Sequence, residues 1–242
     1  MAIVTNTLNY LDGDTHLEGF FAFDDAIVGQ RPAVIVSHAW AGRSEFTSEK
    51  AIKLAELGYV GFALDMYGAG KLGQTDEECG ALMRPFVEDR ALLQKRIGAA
   101  LANVRLLPWV DDKNIAAMGF CFGGLCVLDL ARTGANVKGV VSFHGLLHAP
   151  ANLDHPKITA KVLALHGHDD PLVLPAQVAD FQSEMTKAGA DWQLHTYGNT
   201  VHAFTNPLAS DFAAGYQFCP NANRRAWQAT EDFLAEIFAN KS

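Results

Sequence analysis

Five short apolar runs rich in β-branched residues recur along the chain, and polar or amphipathic stretches separate them. The runs are "AVIVSH" (33–38), "YVGFAL" (59–64), "IAAMGF" (115–120), "VKGVVSFH" (137–144) and "KVLALHG" (161–167). A strand exposed on one face alternates apolar and polar residues, whereas a continuous apolar run suits a strand covered on both faces. Strands alternating with helices then predict a mostly parallel sheet sandwiched by helices.

The connecting segments agree. Ser44 stands where a helix cap is favoured, and Gly58 supplies a stop for a helix ending near Leu57. A second amphipathic stretch runs from Phe86 to Leu107, with Phe86, Leu93, Ile97, Leu101 and Val104 on one face. Pro175 opens another helix, closed near Gly189, and the tail from Asn221 to Ala239 reads as the last. The "DWQLHTY" run (191–197) reads as one more strand, and "TLNYLDGDTHLEGFFAF" as an N-terminal hairpin around Asp12-Gly13. With 242 residues, 49% of them apolar, and no linker or repeat, a single domain over residues 1–242 is the simplest reading.

Charge narrows the partners. A net charge of −8 disfavours nucleic acid or an anionic membrane surface. No stretch reaches the roughly 18 apolar residues of a membrane span, and "MAIVTNTLNYLDGD" lacks the basic-then-apolar pattern of a secretory leader, so export by such a signal is not expected. Cysteines 79, 121, 126 and 219 form no C-x-x-C pair, which suits reduced thiols in a cytoplasmic protein.

The segment "GFCFGG" (119–124) sets Cys121 between a predicted strand and a predicted helix. Its serine counterpart, G-x-S-x-G, is a sharp turn that lifts a nucleophile above a sheet. The helix that follows aims its positive end at position 121 and favours thiolate. The Phe122 N–H is then a natural oxyanion donor. In such hydrolases an acid and a histidine follow in chain order, each after a strand. "HDDPLVLP" and "NTVHAF" supply Asp170 and His202 at those places. Asp169 competes for the acid, but G-x-x-D spacing from Gly167 favours Asp170. Cys126, inside the helix, reads as core, as do Cys79 and Cys219.

Together "GFCFGG", "GHDDPLVLP" and "VHAF" resemble the dienelactone hydrolase family of α/β-hydrolases, over nearly the whole chain. The resemblance implies an α/β-hydrolase fold with about eight strands, a Cys121-Asp170-His202 triad, no metal, no cofactor and a small ester or lactone substrate. It also implies a second oxyanion donor from "SHAWAG" (37–42), at Trp40. Family members that act on dienelactone itself carry a glutamate where this chain has Ala39. They hold the substrate carboxylate with two arginines, matched here by Ala69 and Asn206. Those substitutions point to a neutral or differently charged substrate. Lys71 and Arg43 are possible replacements for the missing charges. His38, Lys71 and Phe204 are carried as substrate-binding candidates, with His38 and His144 each ending a strand at the active edge. The alternative is a catalytically vestigial ligand-binding or scaffolding protein on the same fold; a redox-sensing thiol is a third reading. The oligomeric state stays open.

Two motifs read as decoys. "GAGKLG" (68–73) matches G-x-G-x-x-G, but its position away from the chain start argues against a dinucleotide site, and "QTDEECGALM" is not expected to open a clean helix. "HGHDD" (166–170) begins like a metallohydrolase signature, but Pro171 stands where a further histidine is needed.

Overall fold

A computed structural model of the chain describes residues 2–153 and 157–239. Among them eight strands form one mostly parallel sheet. The chain divides into two compact units, Met1–Met118 and Gly119–Ser242.

In the first unit, β1 (Ile3–Asp12) and β2 (Thr15–Asp24) form an antiparallel hairpin that turns at Gly13. Next come β3 (Arg31–Ser37), α1 (Glu45–Glu56) and β4 (Val60–Ala63). The strand order is β1-β2-β4-β3, with β4 antiparallel to β2 and parallel to β3. β4 is buried along its whole length, as a continuous apolar run requires when both faces are covered. Ser44 is the residue before α1, but its side chain makes no capping bond.

The connection after β4 differs from expectation. Helix α2 (Asp76–Glu88) precedes α3 (Arg90–Val104), so the 86–107 stretch is not one helix. The break falls at Asp89, which leaves helical geometry at φ −111° and ψ 91°. Its carboxylate accepts the Leu92 N–H at 3.0 Å and caps α3. Nor is "QTDEECGALM" helix-poor, because α2 begins within it. Thr75 accepts the Glu78 N–H at 3.2 Å, and three acidic residues stand in the first turn. The first unit closes with most of β5 (Val110–Phe120).

The second unit takes up the end of β5 and continues through α4 (Phe122–Arg132), β6 (Gly139–Phe143), β7 (Lys161–Gly167), α5 (Pro175–Lys187) and β8 (Trp192–Tyr197). Strands β6, β7 and β8 are parallel neighbours in that order. A short hairpin of β9 (Ser210–Asp211) and β10 (Tyr216–Gln217), not foreseen from the sequence, leads into α6 (Pro220–Phe238). α4 is buried throughout and α6 lays Trp227, Phe233, Leu234 and Ile237 inward. No helix among the described residues is long and apolar enough to cross a membrane.

Candidate active site

The strand–helix turn of the second unit holds Cys121 in a conformation few L-residues adopt. Its φ is 55° and ψ −116°, between the last residue of β5 and the first of α4. Such backbone strain persists only where surroundings enforce it, and it clusters at functional sites. Here the Cys121 N–H donates to the Phe143 carbonyl at 3.0 Å. Its own carbonyl accepts the Gly124 N–H at 2.9 Å and so starts α4. The turn is tight enough to exclude side chains on either side. A Cβ on Gly119 would sit 2.1 Å from the Gly123 carbonyl oxygen, and one on Gly124 would sit 2.7 Å from the Gly145 Cα. The thiol is half-buried and unbridged.

His202 lies on the loop after β8. Its N–H donates to Gly215 at 3.0 Å and its carbonyl accepts from Gln217 at 3.2 Å, so the β9–β10 hairpin grips it from both sides. Ala203 follows at φ 55°. His202 Nδ1 lies 2.8 Å from Asp170 Oδ2. The other carboxylate oxygen of Asp170 accepts the Leu172 N–H at 2.9 Å, which fixes the carboxylate plane. Asp170 and His202 are only 3% and 1% exposed, so water screens their pairing little. Asp169 is committed elsewhere: it is exposed and accepts the Thr200 N–H at 3.1 Å.

Burial by itself would push the His202 imidazole down. The Cys121 sulfur and the Asp170 carboxylate outweigh it and raise the pKa from 6.5 to about 10. Nε2 has no partner within strict hydrogen-bond geometry, although Cys121 acts on the ring. Catalytic hydrogen bonds often reach good geometry only when substrate tightens a site. Three other rings border His202 or its acid. His144 stands edge-on at 5.0 Å and Tyr216 at 5.7 Å. His166 is buried at the end of β7, where burial lowers its pKa while Asp170 raises it.

Several candidates take structural places. His38 is fully buried, with Nδ1 against the Ala39 carbonyl at 2.7 Å and Nε2 accepting the Met66 N–H at 3.1 Å. Both nitrogens serve the loop backbone. Phe204 is fully buried, with its ring against His144 and Tyr197. Arg43 is tied to Glu18 at 2.6 Å. Lys71 is exposed, and the half-buried Trp40 accepts the Tyr67 hydroxyl at its carbonyl, 2.7 Å away. Cys126 is buried within α4. His166 is buried and His168 exposed, and no group of three metal-ligating side chains occurs among the described residues. A groove of about 410 Å³ runs along β8 and α6, lined by His195, Tyr197, Arg224 and Phe233 among others, and includes none of Cys121, Asp170 and His202.

The model of the dienelactone hydrolase family matches residues 17–238. The chain belongs to the dienelactone hydrolase family. It shares the α/β-hydrolase fold with a dienelactone hydrolase-like promiscuous phosphotriesterase from metagenomic libraries, at a TM-score of 0.94, 35% identity and coverage of 99% of this chain and 100% of that one. A Bradyrhizobium protein named "Probable 2-oxo-3-(5-oxofuran-2-ylidene)propanoate lactonase" is 28% identical, covering 97% of this chain and 96% of its own. An uncharacterized Caenorhabditis elegans protein is 35% identical across 61% of this chain and 95% of its own.

Proposed function

We propose that this dienelactone hydrolase family member is a cysteine-dependent hydrolase of small lactones or carboxylic esters. The observation that carries the reading is the buried His202–Asp170 pair at 2.8 Å in the same unit as a cysteine held at a strained strand–helix turn. Cys121 Sγ, as thiolate, attacks the carbonyl carbon, and the Phe122 N–H at the start of α4 donates to the resulting oxyanion. The His202 imidazolium protonates the departing alkoxide as the C–O bond breaks, leaving a thioester on Cys121. Water then adds to the thioester and gives its proton to His202. Collapse expels the thiolate and frees the carboxylic acid. Asp170 keeps the His202 Nδ1 proton in place throughout.

We further propose that the substrate is neutral. Ala39, Ala69 and Asn206 stand where the family's dienelactone-cleaving members are charged. Of the two replacement cations, Arg43 is engaged by Glu18. The related phosphotriesterase acts on phosphotriesters, which are neutral, whereas the Bradyrhizobium relative is named for an anionic lactone.

The test is turnover of neutral and anionic lactones, aryl esters and a phosphotriester by the wild type and by Cys121→Ala. Hydrolysis of neutral substrates by the wild type alone supports the reading. Equal hydrolysis by Cys121→Ala contradicts the nucleophile. Preference for the anionic members contradicts the substrate class. Absence of turnover with tight binding of the same compounds would favour the vestigial alternative.

A further inference from the structure

Two adjacent residues at the end of β6 hold both halves of the site. The carbonyl of Phe143 accepts the Cys121 N–H at 3.0 Å. The next residue, His144, is hydrogen-bonded through Nε2 to Thr205 Oγ1 at 2.8 Å, three residues beyond His202. His144 has a strained backbone at φ 38°, and its own N–H donates to the Leu165 carbonyl at 2.8 Å. Its ring meets His202 edge-on at 5.0 Å and 67°, and Phe204 at 5.1 Å and 80°. His144 and Thr205 are both buried.

We propose that His144 and Thr205 form a clamp that positions His202 over Cys121. The inference rests on the cysteine-hydrolase reading above. One strand end thereby sets the spacing of nucleophile and base, through backbone at 143 and side chain at 144. The edge-on ring blocks rotation of His202 away from Asp170. Burial, and then the charge on His202, hold His144 neutral. The positive charge therefore stays on the ring that transfers protons. The groups facing His202 are Asp170, Cys121, His166, Tyr216 and His144. Of these only Asp170 and the thiolate stabilise its proton.

If the contact served packing alone, an apolar pair of the same shape would replace it at little cost, because no buried polar partner would be left behind. The double variant His144→Phe/Thr205→Val therefore separates the two roles. Thr205→Ser, which keeps the hydroxyl, is the rescue. The readouts are kcat and KM on a neutral ester, and the pH dependence of Cys121 alkylation, both normalised to titrated thiol. Expected are a kcat lower by about tenfold to a hundredfold with KM nearly unchanged. The alkylation profile should differ from the wild type's, because the sulfur loses its aligned cation, and the serine variant should recover most of both. A double variant with wild-type kcat and alkylation profile overturns the clamp. So does Thr205→Ser failing as badly as Thr205→Val. Should the double variant not fold, Thr205→Val is compared with Thr205→Ser by the kcat-against-KM split and the alkylation profile, and a wild-type kcat and profile in Thr205→Val overturn the clamp. The Cys121→Ala control separates the failures: its activity overturns the cysteine mechanism, whereas an inactive control beside an unaffected double variant overturns only the clamp.

Discussion

Replacing Asp170 by Asn should nearly abolish turnover while leaving the fold in place. The amide matches the carboxylate in size, and its oxygen can still accept the Leu172 N–H now held at 2.9 Å. The amide nitrogen would then face His202 Nδ1, which sits 2.8 Å from the carboxylate in the wild type. A donor there cannot hold the Nδ1 proton: the neutral ring is left protonated at Nε2, where it cannot take up the thiol proton, and the imidazolium of the working pair loses its acceptor. In serine-histidine-aspartate hydrolases this wrong tautomer lowers kcat by on the order of 10⁴. A charge-assisted hydrogen bond is worth about 1.5–3 kcal/mol, and both groups are almost wholly buried, so solvent screening takes little away. At 1.36 kcal/mol per unit, the His202 pKa should fall from about 10 by roughly one to two units. The assay is kcat/KM against pH with Asp169→Asn as the control, since the Asp169 carboxylate accepts the Thr200 N–H at 3.1 Å beside the triad acid. Wild-type rates in Asp170→Asn, or a larger loss in Asp169→Asn, would refute the reasoning.

Gly119→Ala should leave little folded protein, because its Cβ would lie 2.1 Å from backbone that cannot move without opening the Cys121 turn; soluble expression and thermal melting measure it. Arg132→Ala removes a fully buried guanidinium that bonds Asp129 at 3.2 Å, Glu184 at 2.7 and 2.8 Å, and the Leu147 and His148 carbonyls. Breaking such a buried pair costs about 3–5 kcal/mol, readable as a lowered urea midpoint with unchanged m. Stability should also depend on pH in two windows. Burial first of all lowers the pKa of His38, His144 and His166, so unfolding takes up protons and stability falls as pH drops below about 6.5. His202 is raised when folded; its contribution is complete below about 6.5 and is lost as pH rises through about 10. Urea midpoints across that range check both limbs, and Asp170→Asn should flatten the alkaline one.

The apolar runs foretold the five central strands because burial on both faces leaves an unbroken signature in sequence. The turn at Cys121 was legible for a local reason too, since its glycines are dictated by contacts within a few residues. Helix α2 was missed although Thr75 and Glu78 spell a helix start, because Gly80 and Pro85 weaken the apolar period that follows. The β9–β10 hairpin has strands of two residues, too short to carry any period. The contact of His144 with Thr205 spans 61 positions, and nothing near either residue announces the other. His38 and Phe204 show a limit of another kind: proximity to the active edge in sequence does not distinguish a ring that faces a ligand from one that serves the loop behind it.

Rapid quenching of wild-type protein mixed with a neutral activated ester, followed by mass spectrometry of the peptide spanning residue 121, tests the nucleophile most directly. The account predicts an acyl group on Cys121 that forms and decays at rates matching turnover, and that persists when His202 is replaced by Ala after acylation by a reactive thioester donor. Turnover with no acylated peptide at any time, or an acyl group on a different residue, would contradict it.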